Sequence, residues 1–157
     1  MCMQNRDYIG LLREYRDKGV PFCLKSRGAS MVPTIWPRMR LKIVPYHSGE
    51  RVCEGQIVAY IREDGNIVAH RVVGVEGGKV RTRGDSSLRD DKPVGEVDLL
   101  GEVRAVGFCG TWLSLTSRAA VAWGGLMIKT HPVLTFVWHA MAMTIKGITK
   151  LRDMIAK

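Results

Sequence analysis

One serine, one histidine and a cluster of aspartates in this chain are of the types that together make a hydroxyl nucleophilic. Ser30 lies in GASMVPTIW, His70 in AHRVVG, and Asp85, Asp90 and Asp91 share the stretch RGDSSLRDD. A serine hydroxyl is a poor nucleophile at neutral pH. Reaction at Ser30 therefore needs a base to take its proton, a group that orients the base, and donors for the developing oxyanion. Of the other histidines, His47 falls in the turn-like PYHSGE, and His131 and His139 fall near the C-terminus. Only His70 falls on a strand of a β core, where a rigid backbone can aim it. Each residue also has a plainer reading on its own: Ser30 as a turn serine, His70 as a half-buried core histidine, Asp85 beside Gly84 as a turn former.

The elements that must hold these groups follow from residue periodicity. Tyr8, Leu11, Leu12 and Tyr15 fall at helical spacing, and Gly19 after Asp17-Lys18 reads as a helix stop, which predicts an amphipathic helix within residues 1–20. Short Val/Ile-rich segments separated by Gly, Pro and Asp then predict strands at Leu41–Pro45, Gln56–Arg62, Ile67–Glu76, Lys79–Arg83 and Leu99–Val106. Turns at Glu63–Asn66 and at Gly77-Gly78 join three of them into an antiparallel meander. Along Ile67–Glu76 the period of two puts Val68, His70 and Val72 on one face and Ala69, Arg71 and Val73 on the other.

Beyond Gly107 the sequence turns apolar and basic. Two runs, Ala119–Ile128 and Val133–Met143, are each shorter than the roughly 20 apolar residues that a spanning helix needs, and they predict a helical pair covering the β core or lying on a bilayer surface. From residue 107 onwards six Lys/Arg stand against the single acid Asp153. Such a segment suits an anionic membrane surface, although basic charge on a helix is also an ordinary solvated face.

Composition sets the outer limits. A chain of 157 residues with 46% hydrophobic and 25% charged content predicts one globular domain plus a tail, with neither disorder nor a fibrous class. Cys2, Cys23, Cys53 and Cys109 form no C-x-x-C pair and no cluster at zinc-ligand spacing, which predicts free thiols in a reducing cytosol and no metal site. The first residues carry mixed charges and no apolar core of signal-peptide length, so no export signal is expected.

Five boxes occur in a familiar order: GASMVPTI, EGQIVAY, VAHRVVG, TRGDSSLRDD and LLGEVRAV. Together, over Phe22 to Val106, they resemble the signal peptidase and SOS-repressor peptidase group of serine peptidases, most of all its small soluble S24/S26-type members. The resemblance places the nucleophile on Ser30, directly before Met31. It puts His70 where bacterial leader peptidases carry a lysine base, as in archaeal and endoplasmic-reticulum signal peptidases. It assigns the orienting acid to Asp91 and supporting positions to Asp85 and Arg71. Gly28 stands where leader peptidases usually carry a serine that helps the oxyanion hole, as in the repressor-like members, which leaves backbone donors such as the Ser30 N–H.

The base suits the chemistry. A lysine must lose several pKa units through desolvation to accept a proton near neutrality, whereas histidine starts at about 6.5. Histidine in turn needs its tautomer fixed, a task for a carboxylate such as Asp91. Gly28 and Ala29 before the nucleophile allow a peptide strand to approach closely.

The expected fold is mainly β: a signal-peptidase-type coiled antiparallel sheet over residues 21–107, an N-terminal helix over 1–20, Ser30 on the loop after the first strand, and an apolar, basic helical tail over 108–157. The expected function is that of a serine endopeptidase acting on an extended leader or precursor peptide with small residues before the cut. No cofactor, metal or nucleic acid is expected, and the location is cytoplasmic, with peripheral membrane contact through the tail. Self-cleavage coupled to DNA binding is disfavoured, because the segment before Ser30 is too short for a helix-turn-helix domain. A catalytically silent module that binds a peptide or a membrane surface is the alternative.

Overall fold

Short segments, most of them rich in Val, Ile and Leu, form seven antiparallel strands in the computed structural model, which describes residues 5–47 and 49–130. They are β1 (Phe22–Lys25), β2 (Arg40–Val44), β3 (Ile57–Ile61), β4 (Ile67–Glu76), β5 (Lys79–Arg83), β6 (Leu99–Phe108) and β7 (Thr111–Ser114). The order across the sheet is β1-β2-β6-β3-β4-β5, with β7 paired to β6. Register shifts at Lys42/Ile43, Ala59/Tyr60 and Val72/Gly74 are irregularities of the kind that bend strands and raise local twist.

Both faces of the sheet are covered. Every residue of β3 is buried: Ile57, Ala59 and Ile61 join a core with Leu41, Ile43, Leu100 and Val103, while Val58 and Tyr60 join a second core with Val72, Val80 and Leu99. The first core also takes Met31 and Ile35 from the segment that carries Ser30. Burying a side chain of that size contributes about 1.5–3 kcal/mol, so the neighbours of Ser30 fasten the loop to the sheet.

Helix α1 (Asn5–Asp17) packs through Leu12 and Ile9 on the first core. The expected stripe is shifted: Tyr8, Leu11 and Tyr15 are more than a third exposed, and Tyr15 stacks on Phe22 with ring centroids 6.1 Å apart. The helix closes with Gly19 N–H donating to Arg16 O and Val20 N–H to Tyr15 O, a Schellman-type end. Residues 118–130 form a second helix, α2.

The expected bounds of β4 and β5 match, and those of β2, β3 and β6 move by a residue or two at their ends. Two strands depart from the periodicity reading. β1 is only four residues long and is held by pairing with β2, from Phe22 opposite Ile43 to Lys25 opposite Arg40. β7 lies inside the segment expected to be helical, because a two-residue turn at Cys109-Gly110, with φ of 47° and 82°, folds it back onto β6. The apolar run Val133–Met143 lies outside the described residues. No helix among the described residues is long and apolar enough to cross a membrane.

Candidate active site

His70 stands in the middle of β4, directly opposite Val58 of β3, and points with Val68 and Val72 toward the second core, the face that the period of two predicts. Its imidazole is buried and meets the Tyr60 ring edge-on at 6.4 Å. Nε2 lies 2.8 Å from Ser30 Oγ, and Nδ1 lies 2.6 Å from Asp91 Oδ2. A carboxylate only accepts, so Nδ1 carries the proton and Nε2 keeps the lone pair that receives the Ser30 hydroxyl. This arrangement can deprotonate Ser30 as the oxygen attacks a carbonyl carbon.

Asp91 is held from several sides. Its N–H donates to Thr82 O on β5 at 2.8 Å, and Thr82 Oγ1 lies 3.0 Å from Asp91 Oδ2 and 3.2 Å from the Tyr60 hydroxyl. Arg62 approaches Asp91 Oδ1 at 3.5 Å. Burial pushes the Asp91 carboxyl up, but hydrogen bonds from His70, Thr82 and Tyr60 and the attraction of a positive His70 together hold it below the ordinary carboxylate range. Burial also raises the Tyr60 phenol, so it remains a neutral donor here. Asp91 is thus an ionised acceptor throughout the neutral range.

Ser30 is aimed by the turn that follows β5. Ser86 N–H donates to Ser30 O and Ser86 Oγ to Ala29 O, both at 2.9 Å. Gly84 sits so close that a Cβ there would lie 2.6 Å from Ser30 O and 3.0 Å from Ser30 Cβ. Only glycine fits without moving the nucleophile. The Ser30 N–H has no acceptor among the described residues, which leaves it for an oxyanion. At Gly28 an added Cβ would meet nothing within 4 Å, so the space beside the nucleophile is open.

Comparison with known proteins yields nothing at this point. No family model, curated protein or solved structure matches the chain.

Asp85 has a different task from Asp91. Arg71, on the opposite face of β4 from His70, donates Nε to Asp85 Oδ1 at 2.8 Å and Nη2 to Asp85 Oδ2 at 2.7 Å, and both side chains are almost fully buried. Arg71 Nη1 donates to Gly55 O at 2.8 Å, and the Thr34 hydroxyl bridges Arg71 Nη2 and Asp85 Oδ2. Helix α2 packs on this side: Trp123 Nε1 donates to Thr34 Oγ1 at 2.9 Å, and a Cβ on Gly124 would lie 2.8 Å from Arg71 Nη1. The third acid, Asp90, pairs outward with Arg83 at 3.1 Å.

A cleft of about 790 Å³ opens over Ser30 and His70. Its apolar lining includes Leu24, Met31, Ile35, Leu41, Ala59 and Ala69. Thus Ser30, His70 and Asp91 come together at the cleft, Met31 anchors the nucleophile beneath it, Gly28 borders it, and Arg71 with Asp85 braces the loop from behind. Gly84, Ser86, Thr82, Thr34 and Trp123 were not singled out by sequence reasoning. For Gly84 and Ser86 the signal was present in RGDSSLRDD, but their contact with Ser30 is not local. His131 and His139 lie outside the described residues; His47 is not among the residues that meet at Ser30. No cluster of three metal-ligating side chains occurs among the described residues, and Cys23, Cys53 and Cys109 are separate exposed thiols.

Proposed function

We propose that the protein is a serine endopeptidase of the signal-peptidase type. The observation that carries this reading is the unbroken chain Ser30 Oγ, His70, Asp91, with links of 2.8 and 2.6 Å, opening on a cleft with an apolar floor. Ser30 attacks the scissile carbonyl while His70 takes its proton through Nε2. The Ser30 N–H stabilises the oxyanion. His70 then returns the proton to the leaving amine, and water repeats the sequence to release the acyl group. Asp91 holds the tautomer and stabilises the imidazolium formed on the way. The substrate is an extended leader or precursor peptide with small residues before the cut, which fits the open side at Gly28 and the resemblance drawn from the motif boxes. The same reading places the protein in the cytoplasm, in peripheral contact with a membrane through residues 108–157.

Digestion of a peptide library, read by mass spectrometry, tests the reaction. The wild-type protein cuts after small residues, and Ser30→Ala reduces the rate to background, a loss on the order of 10⁶-fold. Unchanged cleavage by Ser30→Ala would end the proposal.

A second reading has its own support. Phe108, Trp112 and Leu113 stand exposed around the β6–β7 turn, where a module that only binds a membrane surface would present them. Liposome binding that persists in Ser30→Ala, with no peptide in the library cut by wild type, would favour it.

A further inference from the structure

Two cations at the cleft over Ser30, Lys25 and Arg27, form no hydrogen bond or ion pair with His70 or Asp91. With Arg62 they line the cleft, whose only carboxylate among the described residues is that of Asp91, which is already committed to His70. Arg62 alone touches that acid, at 3.5 Å, with its side chain 45% exposed. The bias begins in the sequence: from residue 18 to residue 49 there are six Lys/Arg and no Asp or Glu. Lys18 pairs with Glu14, but Lys25, Arg27, Arg38, Arg40 and Lys42 form no ion pair with any described carboxylate.

Two of these charges oppose each other at a local cost. Lys25 of β1 and Arg40 of β2 are directly paired in register, and like charges in that position are destabilising. Arg40 finds the Trp112 ring at 5.4 Å, which orders it without neutralising it. β1 is also the outermost strand on its side of the sheet, so its outer edge offers unpaired N–H and C=O groups to an extended chain. A peptide suits that edge better than a lipid headgroup does, because the headgroup has no backbone to pair with it.

We propose that the cleft selects a peptide with acidic residues close to the cut, held by Lys25, Arg27 and Arg62. The inference rests on the peptidase reading, and it names a charge preference that small-residue recognition does not contain. An excess of cations around low-dielectric walls raises the local concentration of an anionic chain and speeds its arrival.

Binding to Ser30→Ala tests the preference without any cutting. Fluorescein-labelled peptides with an Ala-X-Ala core carry Glu, Gln or Lys at the flanking positions, and anisotropy gives their affinities. The Glu peptide binds about tenfold more tightly than the Gln peptide at low salt, and the advantage shrinks as salt rises. Adding Lys25→Glu with Arg27→Glu inverts the order to favour the Lys peptide. Both residues are exposed, and circular dichroism checks the fold. Lys25→Gln alone raises the melting temperature, because it relieves the opposition to Arg40.

Equal affinity for the Glu and Gln peptides overturns the proposal, and so does a Glu preference that survives the charge reversal. If phosphatidylglycerol vesicles bind through Lys25 and Arg27 more strongly than the Glu peptide does, the occupant is a lipid headgroup and the proposal also falls. If the Glu peptide binds as expected but the Ser30-containing protein never cuts it, the peptidase reading fails and the charge preference stands.

Discussion

His70 and Arg71 are adjacent on β4 and face opposite ways, and one loop after β5 supplies the acid for each. On the His70 side, Asp91 meets the imidazole that faces Ser30, beside the open cleft. On the Arg71 side, Asp85 meets a guanidinium in a buried ion pair beneath Thr34 and Trp123 of α2. The two pairs are alike in composition, a carboxylate on a nitrogen donor, yet they do different work. The first needs an acceptor that orients a base. The second needs a fixed link that carries the loop, and with it Ser86 and Gly84, to the back of Ser30.

Substitutions on the two sides should separate these roles. Asp91→Asn keeps the loop but no longer enforces the tautomer, so kcat should fall on the order of 10⁴-fold while the denaturation midpoint moves little; peptide cleavage and urea melts measure both. A large fall in stability with unchanged kcat would reverse the assignment. Asp85→Asn leaves Arg71 buried without its counter-charge and should destabilise the protein by about 3–5 kcal/mol, read from the same melts. Arg71→Met combined with Asp85→Leu should recover most of that loss, because the desolvated charges are removed together.

Smaller effects test the contact between loop and nucleophile. Gly84→Ala pushes Ser30 from its position and should lower kcat by about 10²-fold with KM nearly unchanged. Trp123→Phe removes one hydrogen bond to Thr34 and should cost about 1 kcal/mol of stability, seen as a shift in midpoint. The weakest effect is acidic. Asp91 titrates below an unfolded aspartate, whose value is about 3.9, so its pairing adds stability above that pH and loses it as pH falls through the lower folded value. The midpoint difference between wild type and Asp91→Asn should therefore close below about pH 4, and a difference that widens there would contradict the assigned direction.

The amino-acid pattern carried some of this further than the rest. Val68, His70 and Val72 alternate with Ala69 and Arg71, so the face that His70 takes was readable from the period of two. The turns at Glu63–Asn66 and Gly77-Gly78 placed the hairpins for the same local reason. What could not be read depends on partners far along the chain. Four residues from Phe22 do not declare a strand until β2 is beside them, and Thr111–Ser114 looked like part of a helical tail until β6 claimed it. By spacing alone, Asp85, Asp90 and Asp91 were equal candidates; the motif resemblance chose Asp91, and the geometry shows why the three differ. Nothing local marks Trp123 as the residue that reaches Thr34.

The alternation along β4 also sets what kind of change the protein can absorb. A replacement within the strand alters one side chain, whereas an inserted or deleted residue before His70 would exchange its two faces. The guanidinium of Arg71 would then stand at Ser30 and the imidazole would enter the ionic pocket, so that a single frame-preserving codon gained or lost would take the proposed base away from Ser30. The same codon gained in the Glu63–Asn66 turn would be taken up by the loop. Length, as much as the identity of His70 and Arg71, is what this strand cannot vary.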